Sequence, residues 1–344
     1  MTQLLSDSDR AVAELNGASR TLPNPDLFVA MYVRKEAVLS SQIEGTQSTL
    51  DDVLKAEAKI SAHPGDVGEV LNYVGALNMG LERLNTRPLT GTLIREIHER
   101  LMSGVRGGDK RPGRYRSTQV HIGPEGAAIT EAIYVPPPPT FIQQSMDSLE
   151  RYLNSPTDLP PLLKVGLAHA QFETIHPFAD GNGRAGRLLI AFLLCRDRVL
   201  DRPVLFLSHY LKGNRDAYYE ALQRTRTHGD FEAWLKFFLR ATTNVARQAS
   251  QVAARISQLR EDHRTRIAES YPRGTKNAFL LLDRLFQLPI ITRNGALEWL
   301  KLTHAGATNI IRKFEEIGIL TEVTGYARHQ VYEYTPYRRL FNDS

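Results

Sequence analysis

His176-Pro177-Phe178-Ala179-Asp180-Gly181-Asn182-Gly183-Arg184-Ala185-Gly186-Arg187 is the stretch on which the reading of this chain turns. A helix that reaches His176 is stopped by Pro177. Two glycines and an asparagine then build a tight loop that leads directly into a second helix. The free N–H groups at the start of that helix, with its dipole, form an anion site. Arg184 and Arg187 stand three apart and share a face of its first turn, where they can grip phosphates as a lone lysine cannot. Asp180 is a hard oxygen ligand beside that cradle and suits Mg²⁺. His176 has an ordinary pKa suited to proton transfer near neutrality. A base, a metal ligand and a triphosphate grip thus follow one another within one short segment.

Outward from this loop the chain reads as helical. The spacing of apolar residues predicts helices over Leu162–Ile175 and Gly183–Leu200 on either side, both strongly apolar. Upstream, Asp26–Leu39, Ser48–Ala58, Glu69–Leu84, Thr92–Met102 and Thr140–Asn154 carry helical periodicity, with Pro25 suited to a first turn. Between the last two, Arg111–Pro139 is rich in Gly and Pro. Its β-prone pieces, Gln119–Ile122 and Ile133–Val135, predict a hairpin that leaves through the rigid Pro136–Pro139 run. Downstream come helices over Arg215–Thr225 and Phe231–Asn244. A long, polar, Arg-rich helix over Val245–Glu269 then reads as a connector.

From Gly274 the pattern restarts: three short helices (Asn277–Phe286, Arg293–Leu300, Ala305–Ile317), then two β-prone runs, Ile319–Val323 and Gln330–Tyr334. That order describes a winged helix. Its recognition helix would be about His304 to Phe314, carrying Asn309, Arg312 and Lys313. Residues 276–344 hold nine Lys/Arg against seven Asp/Glu, a small excess for a DNA reader, so protein interaction or homodimerisation is an equal reading.

The bulk properties set wide bounds. The 344 residues, 42% hydrophobic and 24% charged, suffice for two or three domains of an ordinary globular protein. A formal charge of +5 and a pI near 9.2 favour acidic partners such as nucleotides or DNA. The single cysteine, Cys195, excludes an internal disulfide and fits a reducing compartment. Met1–Arg10 lacks the layout of a signal peptide, and no apolar run approaches the ~20 residues of a membrane span. The cytoplasm is the expected location, with no membrane partner.

The loop sequence resembles the Fic motif, His-x-Phe-x-Asp/Glu-Gly-Asn-Gly-Arg-x-x-Arg, at every defined position. The resemblance implies an all-α, mainly helical Fic core with a small β-hairpin flap, here joined to a C-terminal winged helix-turn-helix domain. It divides the chain into an N-terminal helical region with an inhibitory helix (1–89), the Fic core (90–240), the connector (241–273) and the winged helix (274–344). It implies ATP as cosubstrate, Mg²⁺ as cofactor, and transfer of AMP to a Ser, Thr or Tyr hydroxyl of a target protein, self-modification included. By position, His176 would be the general base and Asp180 the Mg²⁺ ligand. Gly181, Asn182 and Gly183 would cradle phosphate, and Arg184 and Arg187 would bind the outer phosphates. A Doc-like kinase subgroup carries lysine where this chain has Gly183, so glycine there points to AMP rather than phosphate transfer.

Three further segments resemble the family. Val120-His121-Ile122-Gly123, after Pro112-Gly113-Arg114-Tyr115-Arg116, is similar to the flap that holds a target segment by strand addition. Tyr218-Tyr219 is similar to an adenine-side aromatic pair, with core packing as the alternative. Ser40-Ser41-Gln42-Ile43-Glu44-Gly45 fits the inhibitory motif Ser/Thr-x-x-x-Glu-Gly/Asn. Ser40 and Glu44 would share a helix face, Gly45 would end the helix, and Glu44 would pair with Arg187 in place of the γ-phosphate. The same residues could instead remove AMP, with Glu44 orienting a water. A non-enzymatic reading is a winged-helix regulator with a nucleotide-sensing core.

Overall fold

The computed structural model describes residues 1–22, 25–60, 65–123, 126, 128–271 and 275–342. The helices in chain order are α1 (Thr2–Thr21), α2 (Pro25–Ile43), α3 (Leu50–Glu57), α4 (Gly65–Leu84), α5 (Gly91–Leu101), α6 (Pro139–Asn154), α7 (Pro161–Ile175), α8 (Asn182–Arg196), α9 (Ser208–Gly213), α10 (Arg215–His228) and α11 (Phe231–Ser270). Then follow α12 (Thr275–Gln287), β1 (Ile290–Thr292), α13 (Arg293–Leu300), α14 (His304–Glu316), β2 (Thr321–Glu322), β3 (Val331–Glu333) and α15 (Thr335–Asn342). Gly274, where the second pattern was read to begin, lies outside the described residues. None of the described helices is long and apolar enough to cross a membrane.

These elements form two compact units. The first comprises the described parts of Met1–Asn16, Glu36–Ser48 and Pro64–Arg247. Its centre is α8, which buries Leu188 through Leu194 and so is enclosed on every side. It packs against α7, α4 and α5, while α6 and α10 lie on α7. Prolines open both α6 and α7, where a missing N–H costs nothing. Gly166 lets α7 approach α11 closely: a Cβ there would stand 3.0 Å from Leu235 and Phe238 atoms. The Trp234 indole of α11 donates to the Gly166 carbonyl at 2.8 Å in the same contact.

The second unit comprises the described parts of Gly17–Lys35, Thr49–His63 and Gln248–Ser344. It holds α12, α13 and α14 and a small antiparallel sheet of order β1-β3-β2. Thr292 and Thr303 cap α13 and α14 through their side-chain oxygens. Phe286, Tyr334, Tyr337, Phe341 and Tyr32 stack edge and face in its core. Arg338 reaches Asp51 at 2.8 Å, and Arg34 reaches Glu57 at 2.6 Å.

Several elements differ from the sequence reading. α1 is a full helix whose Ser8, Ala11, Val12 and Leu15 are buried, although its first ten residues are mostly polar. The break expected between residues 244 and 245 is absent, and α11 runs unbroken for 40 residues. No proline or glycine interrupts it, so nothing ends the hydrogen-bond ladder. Among the described residues the expected flap hairpin shows one bridge, Ile122 to Tyr134, with a 3₁₀ turn at Ile129–Glu131 ahead of Tyr134. β1 holds too few residues to leave a periodic trace.

Candidate active site

The loop from α7 to α8 is pinned from three directions. α7 ends on His176 in the left-handed conformation, φ 49°, a strained state for a residue with a Cβ. Arg116, buried, holds it there: its Nε donates to the His176 carbonyl at 2.9 Å, and its backbone N–H to the Pro177 carbonyl at 2.9 Å. The Asn182 amide closes the loop on itself, accepting from the Phe178 N–H at 2.9 Å and donating to the Phe178 carbonyl at 2.8 Å. His98 of α5 fixes the third side. Its Nδ1 accepts from the Gly113 N–H at 3.0 Å, so Nε2 carries the proton and donates to the Asp180 carbonyl at 2.8 Å. The same ring stacks on Phe178 at 3.7 Å, and burial holds it neutral with a pKa of about 4.

Gly181 then takes φ 74° as the cap of α8, where Met102 and His98 leave no room for a Cβ. The first bond of the helix is Ala185 N–H to the Gly181 carbonyl at 3.0 Å. The N–H groups of Asn182, Gly183 and Arg184 come before it and form the anion-binding end. Asn182 therefore serves this site through its backbone, because its side chain is spent on the loop.

A carboxylate of the chain itself stands beside that end. α2 closes at Gly45, whose φ of 95° is open only to glycine. Glu44 Oε1 accepts from Arg187 Nη2 at 2.7 Å and lies so close to Gly183 that a Cβ there would overlap it. Arg187 also donates from Nε to Ser40 Oγ at 2.7 Å and from Nη2 to the Ser40 carbonyl at 2.9 Å. Burial pushes the Glu44 carboxyl up, but the charge and hydrogen bond of Arg187 outweigh it and hold it below the usual range. Ser40, Glu44, Gly183 and Arg187 thus meet at one point, with the Glu44–Arg187 pairing that the sequence predicts.

His176 lies close enough to Glu44 for each to feel the other's charge. Its imidazole is buried, and burial, with the charges of Arg226 and Arg116, lowers its pKa to about 4 against the opposing pull of Glu44. It is neutral at pH 7 and can accept a proton. Asp180 has an exposed carboxylate at the rim, 41% accessible, with Oδ1 taking the Gly181 N–H at 2.6 Å. Arg184 behaves differently from Arg187. Its side chain is 1% exposed and pairs with Glu69 of α4 at 2.7 Å.

The remaining expected residues divide. Tyr218 is 1% exposed, with its hydroxyl on His169 Nε2 at 2.9 Å and its ring against Trp234, so it packs the core. Tyr219 is 38% exposed, with the Arg215 guanidinium 5.7 Å over its ring, and feels the charges of Glu44 and Arg187, so of the pair it is the one accessible to a ligand. Val120, His121, Ile122 and Gly123 lie on the flap segment. The flap's return strand is anchored by Tyr134, whose hydroxyl donates to the Thr174 carbonyl at 2.7 Å under the Arg226 guanidinium. Sequence reasoning missed Glu69, His98, Arg106, Arg116 and Arg226, because each acts through a backbone or partner far away in the chain. Glu173 was missed too. It is buried one turn before His176, with one carboxylate oxygen unpartnered, and burial raises its pKa to about 7.

A neutral imidazole, an exposed aspartate and two arginines beside one helix N-terminus form an arrangement suited to binding phosphate. The description "Fic/DOC family N-terminal" fits residues 2–82, "Fic/DOC family" fits residues 88–194, and the chain belongs to the Fic/DOC family. It is 32% identical over 211 residues to a protein adenylyltransferase Fic of Nematostella vectensis, covering 59% of this chain and 45% of that one. It is 27% identical over 297 residues to one of Drosophila yakuba, covering 78% of this chain and 55% of that one. The chain spans about half the length of these curated relatives. Among solved structures, a Fic family protein from Desulfovibrio desulfuricans G20 superposes with a TM-score of 0.61 at 23% identity, covering 97% of this chain and 96% of that one. A Fic domain containing signaling protein from Bacteroides thetaiotaomicron gives 0.59 at 20% identity, covering 73% and 97%. At these identities the structures speak for the fold alone.

Proposed function

We propose that this chain is a protein adenylyltransferase, transferring AMP from ATP to a Ser, Thr or Tyr hydroxyl of a target protein and restrained by its own Glu44. The observation that carries the reading is the Glu44–Arg187 pair at 2.7 Å, a carboxylate seated on the arginine and helix end that suit an outer phosphate. In the reaction the target oxygen bonds to the α-phosphorus, the bond to the bridging oxygen breaks, and pyrophosphate leaves. His176, neutral and at the head of the same loop, takes the hydroxyl proton. The exposed Asp180 carboxylate fits Mg²⁺, an ion commonly held by one or two carboxylates and substrate phosphates. When bound, that ion neutralises charge on the leaving pyrophosphate. The flap would hold the target segment beside His176 by backbone pairing along Val120–Ile122.

Glu44 and His176 lie near enough to feel each other's charge, and this favours a second reading in which Glu44 orients a water that removes AMP. The order α12, β1, α13, α14, β2, β3, with β3 between β1 and β2 in the sheet, supports a winged helix in the second unit. On α14, Arg312 and Lys313 both lie near Glu316, at 3.7 and 3.1 Å, which weakens a DNA-reading role and favours protein contact. The decisive experiment incubates wild type, His176→Ala and Glu44→Gly with ATP labelled at the α- or γ-phosphate. Protein-bound α-label that is increased by Glu44→Gly and absent in His176→Ala is expected. Transfer of γ-label would overturn the reading.

A further inference from the structure

The two arginines of the motif are not equivalent. Arg187 faces Glu44, a latch at the rim with 30% of its side chain exposed. Arg184 faces Glu69 through Nη1 at 2.7 Å, with both side chains almost wholly enclosed at 1% and 2%, and its Nη2 lies 3.8 Å from Asp180 Oδ1, so carboxylates stand on two of its sides. Separating a buried guanidinium from a buried carboxylate leaves two uncompensated charges out of water, which is strongly unfavourable. Arg184 therefore stays with Glu69 when a ligand arrives. With Glu44 withdrawn, the motif offers the outer phosphates one arginine.

A third arginine stands beside them. Arg106 lies outside the motif, in the turn after α5, between Gly104 and Gly107, both at positive φ. Its Nη2 donates to the Glu44 carbonyl at 3.1 Å, and its Nε lies 3.4 Å from Glu69 Oε1. It thus touches the same two residues that the motif arginines answer. The turn also abuts the metal-site aspartate, since a Cβ on Gly107 would overlap Asp180 Oδ2. Yet the Arg106 side chain is 59% exposed, so its head can swing without repacking anything. Withdrawal of the end of α2 would remove its carbonyl partner and leave a guanidinium at the mouth of the anion site.

We infer that Arg106 is the second guanidinium for the outer phosphates of ATP, taking the place that Arg184, committed to Glu69, cannot fill. The inference rests on the nucleotide reading above and concerns the same site. Arg187 from within and Arg106 from the rim would present two forks to the pyrophosphate portion, so the site would prefer a nucleoside triphosphate to a monophosphate.

The test is titration calorimetry with the full chain carrying Glu44→Gly and His176→Ala, which removes the latch and turnover together. The probes are MgATP and AMP. Adding Arg106→Ala should weaken MgATP by roughly 10-fold or more, the size of a lost charge-assisted contact, with AMP affinity unchanged. Arg106→Lys should fall between, because lysine keeps the charge and loses the fork. Thermal melting should match the parent, since Arg106 is exposed. MgATP affinity unchanged within about twofold would overturn the inference. So would equal losses for MgATP and AMP, which would mean a distorted pocket. Failure of the parent double variant to bind MgATP would instead refute the nucleotide reading, and this inference with it.

Discussion

Replacing Glu44 by glycine removes one carboxylate and leaves Arg187 in place. Arg187 is held independently of Glu44, because Ser40 Oγ and the Ser40 carbonyl take its Nε and Nη2 at 2.7 and 2.9 Å. The variant therefore presents a pre-positioned guanidinium with an open side toward the α8 N-terminus. The contact removed is one charge-assisted hydrogen bond at 2.7 Å between a buried arginine and a partly exposed glutamate. Such bonds contribute about 1.5–3 kcal/mol, and each 1.4 kcal/mol is tenfold in a rate or an equilibrium. If that free energy opposes the aligned pose of ATP, transfer rises about 10- to 100-fold on its removal. The assay is incorporation of α-labelled ATP into the protein itself, over a range of ATP concentrations. Arg187→Ala breaks the same pair but deletes the phosphate ligand with it, so it should not activate. A merely structural ion pair would make the two variants behave alike. Equal rates for wild type and Glu44→Gly at all ATP concentrations would refute the reasoning.

The other expectations follow from the same geometry. His176→Ala should abolish transfer while MgATP binding survives in calorimetry, because the ring moves a proton and grips no phosphate. Asp180→Ala should raise the Mg²⁺ needed for half-maximal transfer, and full activity in EDTA would remove the metal assignment. Without nucleotide, Glu44→Gly should melt below wild type, and MgATP should raise its melting temperature by more than it raises that of wild type. Glu173, raised to about 7 by burial, favours the folded state below the ordinary carboxylate range. That contribution is lost as pH climbs from about 4.5 through 7, so Glu173→Gln should flatten the fall of melting temperature over that window.

Much of the site was legible in the sequence because its chemistry is local. His176, Asp180, Gly181, Gly183 and Arg187 lie within one loop and one helical turn, where spacing determines facing. Ser40, Glu44 and Gly45 were legible for the same reason, being one turn of α2 and its end. What escaped was nonlocal. His98 acts through the backbone carbonyl of Asp180, and Arg116 through those of His176 and Pro177, so no pairing of residue types betrays them. Glu69 and Arg184 are a pair of opposite charges 115 residues apart, with nothing in their neighbourhoods to match them. Tyr218 and Tyr219 are adjacent on α10, and only burial tells the core ring from the open one. The two compact units are discontinuous: α2 enters both, and residues 49–60 join the C-terminal unit. Linear segmentation has no way to express such a division.

The charges around the anion site explain why latch and fold are hard to separate. Arg106, Arg184 and Arg187 converge there with Glu44, Glu69 and Asp180 as the nearby carboxylates. A pocket built to receive a polyphosphate must carry excess positive charge when empty, and mutual repulsion then works against folding. Glu69 compensates Arg184 from inside the core, with both side chains almost wholly buried. Glu44 compensates Arg187 from the end of a helix, with its carboxylate partly in water and a glycine immediately behind it. The first arrangement suits a structural pair and the second a replaceable one. On the proposed reading, a carboxylate that stands in for a phosphate would stabilise the site for the same reason that it would inhibit it: both effects are the affinity of Arg187 and the α8 N-terminus for an anion. Relief would then come from whatever draws Glu44 away while an equal or larger negative charge takes its place, a charge that a nucleoside triphosphate would itself carry.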